Sequence, residues 1–178
     1  MINRKSFITG IKGKKLTNQE IHFLIQHNPW GVILFSRNLD NINQIKKLTS
    51  HIKKIFKDDN YPIMIDQEGG RVNRLNKIIS LDNFTSEYFG KTFIKNKKEF
   101  CITYQLFIDK ISFLLNHLGI NINTLPVLDL RYKGSSNIIG DRSFSRNPKI
   151  VSEIGNYVSS IFLKTQLEQL LNIFQVMD

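Results

Sequence analysis

Two acids and four arginines in this chain stand where their side chains could do chemistry together. The stretch "MIDQEGGRVNRL" (64–75) runs from an apolar strand into Asp66, then two glycines, then Arg71 and Arg74. A carboxylate just beyond a buried strand can accept two hydrogen bonds from neighbouring hydroxyls, as a sugar ring presents them. Gly69 and Gly70 let the backbone turn sharply and come close to a ligand. Arg71 and Arg74 offer planar donor forks, suited to oxygen-rich ligands or to carboxylate partners. The competing reading is an Asp–Arg ion pair that only fixes the loop. A second cluster joins "PVLDL", with Asp129 at a strand end, to "GDRSFSR" (140–146). Arg142 can reach the same mouth as Asp66. Arg146 stands beside a helix start and reads equally as a surface residue. Asp129 is expected to hold an arginine rather than to touch a ligand. Ser143 and Ser145 have no histidine nearby in the sequence to activate them, and the four histidines fall in or at the ends of helical patterns.

The elements that must carry these residues follow from short-range patterns. Thr17 and Glu20 form a capping-box pair opening a helix over 18–27, with Pro29 as its terminator. "GVILF" (31–35) is an apolar run of the buried parallel-strand kind. Ile42, Ile45, Leu48, Ile52, Ile55 and Phe56 recur at helical spacing. "PIMI" (62–65) is the next strand, and 98–118 is a long amphipathic helix stopped at Gly119. A third strand lies within 120–130, and Asn147–Pro148 opens a helix to about Leu163. This alternation predicts a parallel sheet with crossover helices. The two long polar segments, 66–90 and 129–146, both follow strands, where α/β folds place their sites.

Composition narrows the partners. A hydrophobic content of 41% allows a packed core in a single domain. The single cysteine, Cys101, excludes an internal disulfide framework and a cysteine-based zinc site. No apolar stretch is long enough to cross a membrane, and the N-terminus lacks the apolar region of a secretory signal. The net charge of +10 comes with scattered lysines and a complete lack of alanine, the mark of AT-rich codons. It therefore reads as a solvated basic surface and not a nucleic-acid site. The expected setting is cytoplasmic, with no metal and no cofactor.

The motifs "GVILFSRN" (31–38), "IDQEGGRVNRL" (65–75), "LPVLDL" (125–130) and "IGDRSF" (139–144) resemble, in order and spacing, the family 3 glycoside hydrolases. They look most like its bacterial cytoplasmic β-N-acetylhexosaminidases, which trim N-acetylglucosamine from muropeptides during cell-wall recycling. The resemblance extends over about residues 5–164. It implies the N-terminal portion of a (β/α)8 TIM barrel, with the site at the C-terminal ends of the strands, and a retaining mechanism. Asp66, Arg74 and Arg142 match the positions that grip the sugar hydroxyls, and Arg71 matches a loop-forming position. The implied partner is an N-acetylglucosamine-containing saccharide, and a full-length protein of this kind is expected to be monomeric. A catalytically inactive sugar-binding remnant and a broader β-glucosidase-type hydrolase are the alternatives.

A complete barrel of this type takes roughly 250 residues, against 178 here. The family's "KHFPGHG" motif, which carries a Lys-His pair and the histidine acid/base, does not occur, nor does a later aspartate nucleophile. No catalytic residue is therefore assigned, and the chain as it stands is expected to be inactive. One permitted coding for Lys164–Asp178, read with a one-base shift at Lys164, spells that motif in full. Residues 1–164 are thus read as the catalytic domain's N-terminal part. Residues 165–178 are read as an out-of-frame tail whose "LEQLLNIF" is amphipathic by accident. An incomplete barrel leaves an open strand edge, so the fragment is expected to be insoluble or loosely folded.

Overall fold

The computed structural model describes residues 4–132, 138–162 and the backbone of 168–169. The chain alternates strand and helix: β1 (Lys5–Gly10), α1 (Asn18–His27), β2 (Pro29–Leu34), α2 (Ile42–Phe56), β3 (Ile63–Ile65), α3 (Ser86–Lys95), α4 (Lys97–His117), β4 (Ile122–Asn123), α5 (Pro148–Phe162) and β5 (Glu168–Gln169). All five strands run parallel in one sheet, in the order β1-β2-β3-β4-β5. A doubly wound sheet reverses its strand order at a switch point. Here each crossover steps the same way, as in a (β/α) barrel wound part of the way round.

Local chemistry starts and stops the helices. The Thr17 hydroxyl oxygen accepts the Glu20 N–H at 3.2 Å, and the Glu20 carboxylate accepts the Thr17 N–H at 2.8 Å, a complete capping box for α1. The stop is Asn28, in the left-handed region at φ 44° with its N–H on the Leu24 carbonyl; Pro29, expected as the terminator, is the first residue of β2. Asn41 caps α2, which buries Ile45, Leu48, Thr49 and Ile52 against the sheet and leaves its lysines outside.

Two expectations need correction. Residues 5–10 form a strand that the sequence pattern does not announce, because β1 is an edge strand on which no residue is fully buried. The segment 66–90, a long polar loop by its sequence, instead enters α3 at its end, capped by the Thr85 hydroxyl, which accepts the Tyr88 N–H at 3.0 Å. Its period was there to be read in Phe89 and Phe93, both buried. In the tail, Glu168–Gln169 pairs with Ile122–Asn123 as a strand, while the rest of the amphipathic stretch and the frame boundary at 164–165 lie outside the described residues.

The core lies between the sheet and the helices. Val32, Leu34, Ile63 and Ile65 of the strands are fully buried beneath Leu24, Ile52, Ile108, Leu115, Ile154 and Val158 of the helices. Each such side chain contributes about 1.5–3 kcal/mol by leaving water. Between α3 and α4, Phe89 packs edge-on to Tyr104 with centroids 4.6 Å apart, and Phe93 meets Phe100 at 5.1 Å. These rings clamp α3 onto α4, directly under the loop that carries the candidate site.

Candidate functional site

Asp66 is the first residue after β3, at the C-terminal edge of the sheet. Its Oδ1 accepts the Thr124 hydroxyl at 2.7 Å, and Thr124 is the first residue after β4. Its Oδ2 lies 3.6 Å from Nη2 of Arg74. Neighbouring strand ends therefore hold one carboxylate between a hydroxyl and a guanidinium. Arg74 is 29% exposed at its side chain, and its Cζ lies 5.9 Å from the ring centre of Phe35, which follows β2. Arg37 covers the same ring at 4.6 Å and donates from Nε to the Ile11 carbonyl at 3.1 Å.

The loop that carries Arg74 is braced by buried amides. Asn123 and Gln67 exchange two hydrogen bonds: Asn123 Oδ1 accepts the Gln67 N–H at 3.0 Å, and Asn123 Nδ2 donates to the Gln67 carbonyl at 3.1 Å. The Gln67 side chain donates to Asn73 Oδ1 at 3.0 Å and accepts the Leu75 N–H at 3.0 Å. With every donor and acceptor matched, such a buried network fixes one backbone path. The turn itself needs glycine. Gly69 and Gly70 have φ of 105° and 54°, and a Cβ at Gly69 would stand 2.4 Å from the Phe84 carbonyl oxygen.

The second cluster closes on the first through Glu68, a residue outside the set of sequence-based candidates. Arg142 donates from Nε and Nη2 to the two carboxylate oxygens of Glu68, at 2.8 and 2.7 Å. Glu68 is buried, at 6% exposure. Its two accepting oxygens hold the Arg142 guanidinium above its ordinary pKa, against the opposing effect of burial, with further support from the charges of Asp129 and Asp66. Asp129, expected to hold an arginine, is buried and adds charge, but the forked contact to Arg142 belongs to Glu68. The backbone carbonyl of Asp129 accepts the Ser143 hydroxyl at 2.7 Å, which pins the Arg142 segment to the stretch after β4; Asp129, expected at a strand end, lies beyond the strand, which stops at Asn123. Beside this pair, the buried Tyr104 phenol is pushed up by desolvation and by the negative charge of Glu68.

Arg71 lies on the outer side of the turn. It pairs through Nε with Asp141 at 2.9 Å and donates to the Ile138 and Ile139 carbonyls at 2.6 and 3.0 Å, tying the two loops together. Arg146 is exposed. The structure thus brings Asp66, Arg74, Arg142 and Asp129 to one edge of the sheet. It adds Glu68, Thr124, Gln67, Asn123 and Phe35, none of which had been assigned a role. A signal for Glu68 existed: in an extended segment, residues two apart share a side, so an acid at 68 follows Asp66 around the mouth. Four carboxylates (Asp66, Glu68, Asp129, Asp141) face three guanidinium groups here. The balance suits a neutral ligand rich in hydroxyls, with acceptors and donors alternating around it. Among the described residues no group of three or more His, Cys, Asp or Glu side chains is placed to hold a metal ion. No helix among them is long and apolar enough to cross a membrane.

Comparison with known proteins matches this description. The profile of the glycosyl hydrolase family 3 N-terminal domain covers residues 8–166. A β-hexosaminidase of Hydrogenovibrio crunogenus is 38% identical over 125 residues, which is 70% of this chain and 34% of that protein. A β-hexosaminidase of Neisseria gonorrhoeae is 34% identical over 158 residues, 86% of this chain and 42% of that one. In structure, native NagZ from Neisseria gonorrhoeae superposes with a TM-score of 0.80 at 30% identity, over 90% of this chain and 46% of that chain. The same enzyme in complex with N-trifluoroacetyl-D-glucosamine also gives a TM-score of 0.80, at 30% identity and over 90% of this chain and 48% of that one. The chain thus spans between about a third and a half of the length of these relatives.

Proposed function

This chain belongs to glycosyl hydrolase family 3, and from that membership we propose that its β3 and β4 loops form part of the site for a terminal β-linked N-acetylglucosamine. Asp66 accepts sugar hydroxyls, Arg74 and Arg142 donate to sugar oxygens, Arg71 shapes the loop, and Asp129 supports Arg142. The observation that carries the reading is the convergence of Asp66, Thr124 and Arg74 at one strand edge, with Arg142 brought to it from 68 residues beyond Arg74. Relatives named β-hexosaminidase support the substrate class. So does a solved neighbour whose ligand is an N-acylated glucosamine. In this reading the parent activity is the retaining hydrolysis of N-acetylglucosamine from muropeptides or related glycans. It takes place in the cytoplasm, by a monomeric full-length enzyme, without nucleic acid or membrane as partner.

The retaining mechanism that the family resemblance implies needs a carboxylate nucleophile free to attack, served by a histidine acid/base. Three of the four carboxylates at this mouth are engaged, Asp66 with Thr124 and Arg74, Glu68 with Arg142 and Asp141 with Arg71, and the fourth, Asp129, is buried. That favours the second reading, in which these 178 residues hold the sugar without cleaving it. Isothermal titration with N-acetylglucosamine should give weak, saturable binding, with glucose binding more weakly. A chromogenic N-acetylglucosaminide should not be turned over. Equal affinity for glucose would favour a β-glucosidase-type site, and no binding of either sugar would refute the assignment of Asp66, Arg74 and Arg142.

A further inference from the structure

We infer that Glu68 is a positioning residue for sugar recognition: it holds Arg142 away from Asp66 so that both remain open to ligand. The inference rests on the sugar-binding reading above. Its starting point is competition. Arg142 feels three carboxylates, those of Glu68, Asp129 and Asp66. Asp66 is the one open to a second cation, because its Oδ2 has Arg74 only at 3.6 Å. A guanidinium released at this mouth would close on Asp66 and fill the acceptor positions meant for hydroxyls. It would remove two ligand-binding groups in one step.

Glu68 prevents this by geometry. The fork takes the Nε and Nη2 edge of Arg142 at 2.8 and 2.7 Å. What remains for a ligand is the Nη1 edge, which has only a long 3.4 Å contact to the Ile138 carbonyl. Two planar groups joined by two parallel bonds resist rotation in a way one bond does not. The anchor is itself rigid, because the Glu68 N–H bonds the Val72 carbonyl at 3.0 Å across the Gly69–Gly70 turn. Burial of Glu68 keeps water from competing for its oxygens.

The test is a double-mutant cycle on N-acetylglucosamine affinity, using the 178-residue chain with Glu68→Gln, Arg142→Gln and both together. Glu68→Gln should weaken binding about tenfold, the worth of a charge-assisted hydrogen bond. Adding it to Arg142→Gln should weaken binding no further, because Glu68 acts only through Arg142. Losses that multiply, or a Glu68→Gln variant with wild-type affinity, overturn the inference and leave the sugar reading standing. A wild-type chain that binds no sugar overturns both. A second measurement needs no variant. In the wild type the Nε–H resonance of Arg142 should exchange slowly with solvent and keep its shift when sugar is added, while the Nη1 protons move. An Nε–H that shifts on sugar binding shows the fork opening and refutes the proposal.

Discussion

The same substitution, glycine to alanine inside a helix, should have opposite effects at Gly90 and Gly155. In an open helix interior it stabilises by about 1 kcal/mol, through backbone entropy and propensity. Gly90 lies in α3 where that helix crosses the Arg142 segment, and a Cβ there would stand 1.8 Å from the Phe144 carbonyl oxygen and 2.6 Å from its carbon. To restore ordinary contact near 3.4 Å the Phe144 backbone must withdraw by about 1.6 Å. A main chain cannot rotate aside as a side chain can. The overpacking therefore outweighs the propensity gain, for a net loss of about 2 kcal/mol, or roughly 4–8 °C in Tm for a chain of this size. The displaced segment carries Arg142, so the fork to Glu68 should loosen as well. At Gly155 in α5, a new Cβ meets only the tip of Leu128, at 3.1 and 3.3 Å. A small rotation clears it, and most of the gain should survive, raising Tm by roughly 2–4 °C. Thermal melts followed by circular dichroism, with the Arg142 Nε–H signal as a local probe, check both. A Gly90→Ala variant that melts at or above the wild type would refute the close approach of α3 to this segment.

Three more outcomes follow from particular contacts. Burial would raise the Glu20 pKa, but the N–H groups of Lys12 and Thr17 and the Thr17 hydroxyl outweigh it, so the carboxyl lies below its ordinary range when folded. Its stabilising contribution is thus present above pH 4.5, the ordinary glutamate value, and is lost as pH falls through the lowered one. The stability of Glu20→Gln should lose that acid limb, and an unchanged pH profile would count against the capping box. Asn38 is wholly buried, donates to the Ile11 and Gly13 carbonyls at 3.0 and 2.9 Å and accepts the Phe35 N–H at 2.9 Å. Replacing it with leucine should cost about 2–4 kcal/mol in denaturant unfolding, because an N–H and a carbonyl lose their partner; a cost below 1 kcal/mol would refute the network. Thr124→Val keeps the shape but removes the hydroxyl held 2.7 Å from Asp66. It should weaken N-acetylglucosamine binding about fivefold while changing stability by no more than about 1 kcal/mol, and unaltered affinity would remove Thr124 from the site.

What is local can be read directly from the residues. Thr17 with Glu20 placed the start of α1, the isoleucine and leucine spacing placed α2, and the apolar run at 62–65 placed β3, because caps and periodicities act within a few residues. Asp66, Arg74 and Arg142 were legible as candidates from residue type and from their place after strands, and the quoted motifs pointed to the family. What depends on distant partners emerges only once the chain has folded. β1 carries almost no burial signal, and it becomes a strand because β2 lies beside it. The sequential order of five parallel strands, which separates a partial barrel from a doubly wound sheet, is a property of the whole sheet. Above all, the partner of Arg142 proved to be Glu68, 74 residues earlier, and not the nearer Asp129. No local pattern encodes that pairing. It depends on the Gly69–Gly70 turn, on the close crossing of α3 at Gly90, and on the desolvation that makes a buried carboxylate take the best-fitting cation within reach.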